Sequence, residues 1–287
     1  MKVKVAIVNA FVDAEEGGNP AGVVLEADAL SYEQKLNIAK QVGLSETAFV
    51  STSTVADFKL DFFTPQKQIA HCGHATIATF SYLSQLGLMA NQQSSKETID
   101  GVRKVSVQHG IAYMEQLAPS YSKVAEDKPL ILKALGVKSE DLLADPIIAN
   151  TGNGFLLIGL KNHEQLQAIK PKQSLINDLS ERHDLIGFYV FTLHSNIPGR
   201  DASTRMFAPR YGIQEESATG MAAGPLACYL YDYIKIKKAD FAIEQGYAMT
   251  PPSPSCIQVQ LSLANARVSS LTAGGKGVVS SQLEVEI

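Results

Sequence analysis

The sequence predicts an α+β fold built from two duplicated halves, and three observations support this prediction. The chain has 287 residues, about twice the length of a typical domain. Short apolar, β-branched segments recur along it and are typical of strands. A strand-like segment that ends in Phe-x-Pro precedes a helix of small residues twice, at Phe63-Thr64-Pro65 and at Phe207-Ala208-Pro209. A similarity at so long a spacing indicates duplicated half-domains rather than a solenoid.

The first half is predicted to open with a hairpin and a helix. Residues 3–12 are apolar and β-branched, residues 17–22 are rich in Gly and Asn-Pro and predict a turn, and residues 23–25 resume the strand. Helical spacing follows from Ser31, a plausible N-cap, to Val42, with Gly43 as the stop. The later elements of this half are strands at 47–50 and 58–63, a helix at 74–86, and an antiparallel pair at 102–107 and 111–117.

The second half is predicted to repeat this order after a polar, irregular segment near residues 119–128. We therefore expect one half-domain at 1–119 plus 276–287 and another at 120–275. The predicted elements of the second half are a helix at 130–135, strands at 154–160, 186–193 and before 207, a helix from about 219 to 231, and closing strands at 259–263 and 278–287.

Composition and charge exclude several classes of protein. Hydrophobic residues make up 45% and charged residues 19%, which is globular composition. The net charge of −4 lacks the basic excess of most nucleic-acid binders. No apolar run is long enough to span a bilayer, and the N-terminus does not resemble a secretory signal. Three cysteines do not form a disulfide framework, and we expect a cytoplasmic protein that binds neither nucleic acid nor membrane.

The two predicted helix starts are candidate anion sites. Small residues at Gly73-His74-Ala75 and at Ala218-Thr219-Gly220 would let a ligand approach free backbone N–H groups, where the helix dipole favours negative charge. The alternative is that glycine and alanine only allow a central helix to pack tightly. Facing pairs of such starts would suit a small molecule that carries a carboxylate.

Glu46 is the candidate acid/base residue. It stands at the threshold of an apolar strand in Ser45-Glu46-Thr47. Burial penalises the charged form of a carboxylic acid, so a buried Glu46 could take and return a proton near neutral pH. The alternative is an exposed glutamate at a strand start. Cys72 is a possible nucleophile at a helix start, and a metal site at His71-Cys72-Gly73-His74 has too few ligands to be favoured.

Several motifs together resemble the phenazine-biosynthesis isomerase family (PhzF-like proteins), within the diaminopimelate-epimerase fold. Each motif is weak alone, but they occur in the family's order and cover nearly the whole chain. The motifs are Gly18-Asn19-Pro20-Ala21-Gly22, Leu44-Ser45-Glu46-Thr47-Ala48, Phe63-Thr64-Pro65 with Cys72-Gly73-His74-Ala75-Thr76, Thr151-Gly152, Arg205-Met206-Phe207-Ala208-Pro209 with Gly212-Ile213, and Ala218-Thr219-Gly220.

The resemblance implies two pseudo-symmetric halves, each with a mainly antiparallel sheet wrapped round one central helix and with the active site in the cleft between them. It implies an isomerase that needs no cofactor or metal and is a homodimer. In the family, a glutamate at the position of Glu46 moves a proton between two carbons of a cyclic dienol acid. The residues that the resemblance places at the site are Glu46, His74 and Glu216 as catalytic groups, and Asn19, Ser45, Gly73, Ala75, Ala218, Thr219 and Gly220 as substrate contacts.

The chain also departs from the family's pattern. Glu216 stands where an aspartate is usual, Met221 replaces a serine, and Gln68 and Ala70 replace an acidic pair. Methionine donates no hydrogen bond, so a substrate group bonded to the serine would lose its partner. Two alternatives therefore remain: a non-catalytic ligand-binding or scaffold protein on the same fold and, less favoured, an amino-acid epimerase. Two-base racemisation uses a cysteine from each half, whereas this chain offers Cys72 and Ser217.

Overall fold

The structure is a computed structural model that describes residues 1–287, and its chain divides into two compact units. One unit comprises residues 1–115 and 274–287, and the other residues 116–273. The first boundary falls four residues before the expected one, because the Gln116 side chain binds within the second unit. Its Nε2 donates to Gly220 O at 2.9 Å, and its Oε1 accepts from Thr151 Oγ1 at 2.7 Å.

The chain forms seventeen strands and six α-helices. The strands are β1 Lys2–Ala10, β2 Asn19–Val24, β3 Thr47–Ser51, β4 Phe58–Phe63, β5 Gln68–Ile69, β6 Gln93–Thr98, β7 Gly101–Gln108, β8 Ile111–Leu117, β9 Ser120–Lys123, β10 Ile147–Asn150, β11 Gly154–Leu160, β12 Gly187–Thr192, β13 Ala202–Ala208, β14 Ile213–Glu216, β15 Asp240–Gln245, β16 Ser255–Ala264 and β17 Arg267–Glu286. The helices are α1 Tyr32–Val42, α2 Gly73–Gln85, α3 Lys128–Leu135, α4 His163–Gln167, α5 Gln173–Arg182 and α6 Gly220–Asp232.

The two units repeat one pattern of strand pairing. In the first, β1–β2 is antiparallel, β2–β3 parallel, β3–β4 antiparallel, β4–β6 parallel and β6–β7 antiparallel. In the second, β10–β11, β11–β12, β12–β13, β13–β15 and β15–β16 follow the same sequence of directions. The short strands β5 and β14 pair antiparallel with β4 and β13. The predicted duplication is therefore present strand by strand.

Strand register assigns equivalent residues in the two units. Phe63 on β4 and Phe207 on β13 are equivalent, because each begins a Phe-x-Pro motif. Thr47 pairs with Phe63 and Phe188 pairs with Phe207, so Thr47 corresponds to Phe188. The preceding residues, Glu46 and Gly187, correspond to each other in the same way.

One helix in each unit is buried on nearly all sides. Ten of the thirteen residues of α2 and eleven of the thirteen of α6 are buried. A helix buried all round lies inside a core rather than on a surface. Both helices have small residues in their first turns, which permits this close packing. The expected fold, a mainly antiparallel sheet around a central helix in each half, is confirmed.

Helix α1 has the ends that the sequence predicts. The Ser31 hydroxyl accepts from Gln34 N, and the Gln34 side chain accepts from Ser31 N, which makes a capping box. Gly43 ends the helix in the left-handed conformation at φ 70°. Several of its inward residues, including Ile38 and Ala39, join a core cluster with β1 and β3.

The glycine-rich segment after β1 is partly strand rather than wholly turn. The prediction of a turn over residues 17–22 is wrong after Gly18, because β2 begins at Asn19 and pairs with β1. A Cβ on Gly22 would lie 2.8 Å from Thr47 Oγ1, so the glycine lets β2 approach β3 closely.

Polar composition concealed other elements. Strands β6, β9 and β14 and helix α4 were not predicted, because their sequences lack a clear apolar period. Helix α5 was also missed, although Leu175, Ile176 and Leu179 have helical spacing. None of the helices combines the length and the apolar character needed to cross a membrane.

Candidate active site

Glu46 lies immediately before β3, and its side chain is buried. Its backbone carbonyl accepts from Gly22 N at 3.1 Å, which fixes the residue against β2. The residue is 9% exposed, and its Oε2 accepts no hydrogen bond. A carboxylate oxygen that is buried without a hydrogen bond is costly and requires an explanation. The alternative of an exposed strand-start glutamate is therefore wrong.

His74 lies between the Glu46 carboxylate and the Cys72 thiol. It is the second residue of α2 and is 5% exposed. Its Nε2 is 3.3 Å from Glu46 Oε2, and its Nδ1 is 3.5 Å from Cys72 Sγ. The Nε2–Oε2 pair is within ion-pair distance, but its angles are not those of a hydrogen bond. One imidazole thus contacts two ionisable groups through its two nitrogens.

The start of α2 positions this cluster. Cys72 is the N-cap residue in extended conformation, and Gly73 and Ala75 are buried in the first turn. Thr76 Oγ1 donates to Cys72 O at 2.7 Å, and Thr76 N donates to the same carbonyl at 3.3 Å. The positive end of a thirteen-residue helix therefore lies at the cluster and favours negative charge there.

Glu46, Cys72 and His74 each offer an atom that could bind a metal, and these atoms lie within 4.8 Å of one another. We assign no metal to them. The Lys96 ammonium is close enough to Cys72 for their charges to interact, and it opposes a cation at that position.

Lys96 and His71 adjoin the cluster, and sequence reasoning gave them no role. Lys96 is fully buried on β6, with Nζ 2.6 Å from Thr76 Oγ1 and 3.3 Å from His71 Nδ1. Burial, with the charges of Lys96 and Arg103, lowers the pKa of His71 to about 3. Alternation along Gln93–Thr98 would have placed Lys96 inward, but only once that polar segment was recognised as a strand.

In the second unit, Glu216 and Thr219 lie together before α6. The Thr219 hydroxyl donates to Glu216 Oε2, and Thr219 N donates to Gln245 Oε1 at 3.1 Å. Gln245, which sequence reasoning missed, also donates from Nε2 to Glu216 O at 2.7 Å. Glu216 is thus held at the helix start.

The remaining expected contact residues differ in exposure. Asn19, Ala218 and Gly220 are buried, whereas Ser45 is exposed. Gly220 is the first residue of α6, so its N-cap is Thr219, and Ser217 lies two residues before the N-cap. When the N-terminal ends of α2 and α6 are aligned, the N-cap residue Cys72 corresponds to the N-cap residue Thr219 and not to Ser217.

A second asparagine occupies the position equivalent to Asn19. Gly22 pairs with Thr47, and Leu156 pairs with its equivalent, Phe188. Asn19 and Asn153 lie three residues before Gly22 and Leu156, respectively, so the two asparagines correspond to each other. Asn153 Nδ2 donates to Met221 Sδ at 3.6 Å. A methionine sulfur only accepts a hydrogen bond, whereas a serine hydroxyl at this position would also donate one. The repeated Gly-Asn pair at 18–19 and 152–153 was the available sequence signal.

The two units thus share one strand plan and each holds a buried helix, and Glu46, Cys72 and His74 are grouped at the start of one of these helices. Residues 8–282 match the family model described as phenazine biosynthesis-like protein, and the chain belongs to this family.

The relatives support the same class of activity. The chain is 33% identical over 239 residues to an uncharacterized isomerase, YddE, of Escherichia coli K12, covering 80% of each chain. It is 32% identical to the trans-2,3-dihydro-3-hydroxyanthranilate isomerase of Pseudomonas chlororaphis, covering 95% of each. A Bacillus anthracis phenazine biosynthesis protein of the PhzF family superposes with a TM-score of 0.91 at 26% identity, over all of both chains. The prediction of a PhzF-like isomerase is confirmed at this level.

Proposed function

We propose that this isomerase moves a proton between two carbons of a small carboxylate-bearing molecule, with Glu46 as the single acid/base and without a cofactor. The observation that carries the proposal is the buried Glu46 carboxylate, whose Oε2 accepts no hydrogen bond and lies beside His74. An oxygen that accepts no hydrogen bond keeps its lone pairs for a proton.

The proposed reaction balances without an oxidant or reductant. Glu46 Oε2 takes a proton from one carbon, and the electron pair of that C–H bond delocalises into the conjugated system of the substrate. The resulting carboxylic acid then returns the proton to another carbon of the same system. One side chain suffices for both steps, since the base of the first is the acid of the second.

The substrate carboxylate is proposed to bind at the start of α2, beside Glu46. Gly73 and Ala75 have no bulky side chain at the start of α2, and the helix dipole favours an anion there. His74 holds the substrate against Glu46, and Asn19 contributes a further polar contact. Ser45 adds a contact from its exposed position. Within the second unit, Ala218, Thr219 and Gly220 lie at the start of α6, and Glu216 is held beside them by the Thr219 hydroxyl.

Glu46→Gln tests the acid/base assignment. Candidate cyclic and aromatic carboxylic acids, including trans-2,3-dihydro-3-hydroxyanthranilate, are first screened for binding by thermal shift. Each binder is then incubated in deuterium oxide and analysed by mass spectrometry. We expect wild-type protein to incorporate deuterium into a ligand, and Glu46→Gln to bind that ligand with at least about a hundredfold slower exchange.

Glu33→Gln is the matched control, because Glu33 is exposed at the start of α1. It should exchange at the wild-type rate. Unchanged exchange in Glu46→Gln would refute the role of Glu46. Ligands that bind wild-type protein with no exchange at all would instead favour a non-catalytic binding or scaffold protein.

The partners implied by the resemblance, a carboxylate substrate and a second copy of the chain, are part of this proposal. Light scattering of the purified protein measures the mass in solution and tests the homodimer directly.

A further inference from the structure

Lys96 is buried completely without a carboxylate partner. Its residue exposure is 0%, and its Nζ contacts Thr76 Oγ1, His71 Nδ1 and the face of Phe62, 5.1 Å from the ring centroid. A buried ammonium without a paired anion is strongly unfavourable. The three partners supply hydrogen bonds and a ring quadrupole, but none of them neutralises the charge.

The second unit shows that the fold does not need a lysine here. Lys96 pairs with Phe58 across parallel strands, and Ile243 pairs with Ala202 in the same way. Phe58 and Ala202 each stand five residues before the phenylalanine of the Phe-x-Pro motif. Ile243, the counterpart of Lys96, is also 0% exposed.

The residues that follow Lys96 and Ile243 support this correspondence. Glu97 accepts from Ser53 Oγ at 2.6 Å, in the loop after β3. Glu244 accepts from Asn196 N and Ile197 N, both at 2.7 Å, in the loop after β12. An apolar side chain therefore fills this position in one unit and an ammonium in the other.

The buried ammonium occurs in the unit whose helix start carries the thiol. Lys96 lies beside the Cys72 N-cap, whereas Ile243 belongs to the unit whose N-cap is Thr219. The Thr76 hydroxyl accepts from Lys96 Nζ and donates to the backbone carbonyl of Cys72, which holds the ammonium next to the N-cap residue that carries the thiol. The charges of Lys96 and Cys72 also attract each other, which favours the ammonium.

We propose that Lys96 is a positioning residue of the active site, which keeps Cys72 as a thiolate and thereby sets the tautomer of His74. With the proton on Lys96 Nζ, the Cys72 thiolate accepts a hydrogen bond from His74 Nδ1–H. His74 Nε2 then presents its lone pair to Glu46. With the proton on Cys72 instead, the thiol donates to Nδ1, and Nε2–H faces Glu46. One proton shared by Lys96 and Cys72 thus selects which form of Glu46 the imidazole stabilises.

The other groups around Lys96 are compatible with a charge that responds to pH. Burial is the main cause that lowers the pKa of Lys96, to about 7, and Arg103 on β7 acts in the same direction. Cys72 and Asp100 raise it. His71 faces the ammonium in its neutral form, because its own pKa is about 3.

The first measurement is the pH titration of the Cys72 thiolate by its ultraviolet absorbance. The signal is the difference between a protein and its Cys72→Ser counterpart, which removes the contributions of Cys228 and Cys256. We expect Lys96→Met to move the midpoint upward by about 1 to 3 pH units, and Lys96→Arg to retain most of the wild-type value. Met keeps the unbranched stem of lysine without its charge.

Lys35→Met is the matched control. Lys35 is also buried in the first unit, but its Nζ binds Asp61 Oδ2 at 2.6 Å and therefore has a carboxylate partner. Its loss should leave the thiolate midpoint unchanged. A folded Lys96→Met with the wild-type midpoint would overturn the proposal, as would an equal shift in Lys35→Met.

The reciprocal measurement needs no substitution of Lys96. The titration of the Lys96 ammonium is followed by nitrogen NMR in wild-type protein and in Cys72→Ser. Because coupling between two sites is reciprocal, the midpoint of Lys96 should fall when the thiolate is removed. An identical midpoint would refute the coupling even if Lys96→Met did not fold.

Only the effect on turnover rests on the proposed function. If Glu46 is the acid/base, Lys96→Met should shift the pH profile of deuterium exchange in the same direction as the thiolate midpoint. Both titrations use protein without ligand, and Glu46→Gln should preserve the coupling that they measure. Failure of the acid/base assignment and failure of the coupling are therefore separate outcomes.

Discussion

The two units share one strand plan but differ at the positions of the buried ionisable cluster. The first has Glu46, Cys72, His74 and Lys96, whereas the register-equivalent or helix-start-equivalent residues of the second are Gly187, Thr219, Met221 and Ile243. The shared positions, such as Asn19 and Asn153, carry polar groups without a readily transferred proton. Duplication thus preserved the framework and the polar contacts, while buried ionisable side chains occupy these four positions in one unit only.

Gly187 gives this difference a steric basis. A Cβ at Gly187 would lie 2.3 Å from Phe207 O and 3.1 Å from Ala208 Cα. Both neighbours are backbone atoms of the adjacent strand, so no side-chain rotation makes room. The second unit therefore has no space for a counterpart of Glu46, which supports chemistry by one acid/base rather than two.

The largest predicted loss of stability concerns an ion pair in the second unit. Its basic residue, Arg205, stands where the first unit has an acidic residue, Asp61. Arg205 stands two residues before Phe207 and binds Glu215 through Nε and Nη2, while its Nη1 donates to carbonyls at the end of α4. Arg205→Met should lower the free energy of unfolding by about 3 kcal/mol, because the half-buried Glu215 carboxylate and the carbonyls at the end of α4 lose their donor. Urea titration followed by circular dichroism measures this loss.

The equivalent site in the first unit provides a second ion pair for comparison. Asp61 stands two residues before Phe63 and binds both Lys35 and the Gln68 amide. Lys35→Met should cost less, about 1–3 kcal/mol, since Gln68 still donates to Asp61. Adding Glu215→Leu to Arg205→Met should recover part of the stability. No recovery would show that the helix carbonyls, rather than the ion pair, account for the cost.

The next prediction compares Gly187 and Gly22, two glycines that allow neighbouring strands to lie close together. Gly187→Ala should destabilise the protein by about 1–3 kcal/mol, because its Cβ meets backbone atoms. Gly22→Ala should cost less, since the nearest atoms belong to the Thr47 side chain, which can rotate. Thermal unfolding of both variants under one buffer condition measures the difference, and equal losses would contradict the steric argument.

The smallest effect concerns helix capping. Ser31→Ala in the first unit should cost about 1 kcal/mol through loss of the capping box. Helix α5 in the second unit begins after Lys172, whose side chain makes no capping bond. Lys172→Asp should stabilise the protein by about 0.5 kcal/mol. Opposite signs in denaturant titrations are expected, and a loss in both variants would contradict the capping explanation.

Helices and strands were predicted from the sequence where local residues mark their ends or their periodicity. Ser31 and Gly43 bounded α1 because capping and left-handed glycine are local effects. Strand β6 was missed because its residues, Gln93–Thr98, include no hydrophobic side chain, and its inward lysine binds polar partners. The turn assigned to residues 17–22 was wrong because Gly22 serves contact with another strand, which a local pattern does not reveal.

The candidate site was only partly predictable from the sequence, because motifs mark some of its residues and tertiary packing alone brings in the others. Glu46 and His74 were found through motifs that resemble a known family, but their 3.3 Å separation depends on how β3 and α2 pack. Lys96 and Gln245 act through hydrogen bonds to residues far along the chain, and single-sequence periodicity contains no signal for such bonds. The departures at Glu216 and Met221 were visible in sequence, whereas their partners, Thr219 and Asn153, required the structure.

The final strand, β17, begins in the second unit and ends paired with β1 in the first, and Ile287 N donates to Met1 O at 2.9 Å. The first unit is therefore assembled from the earliest and the latest parts of the chain, whereas the second is continuous. Residues 116–273 are synthesised as one continuous stretch, and the β1–β17 pairing becomes possible only after that stretch has been made. The unit that carries Glu46 therefore completes its strand pairing only when every residue of the other unit has been synthesised.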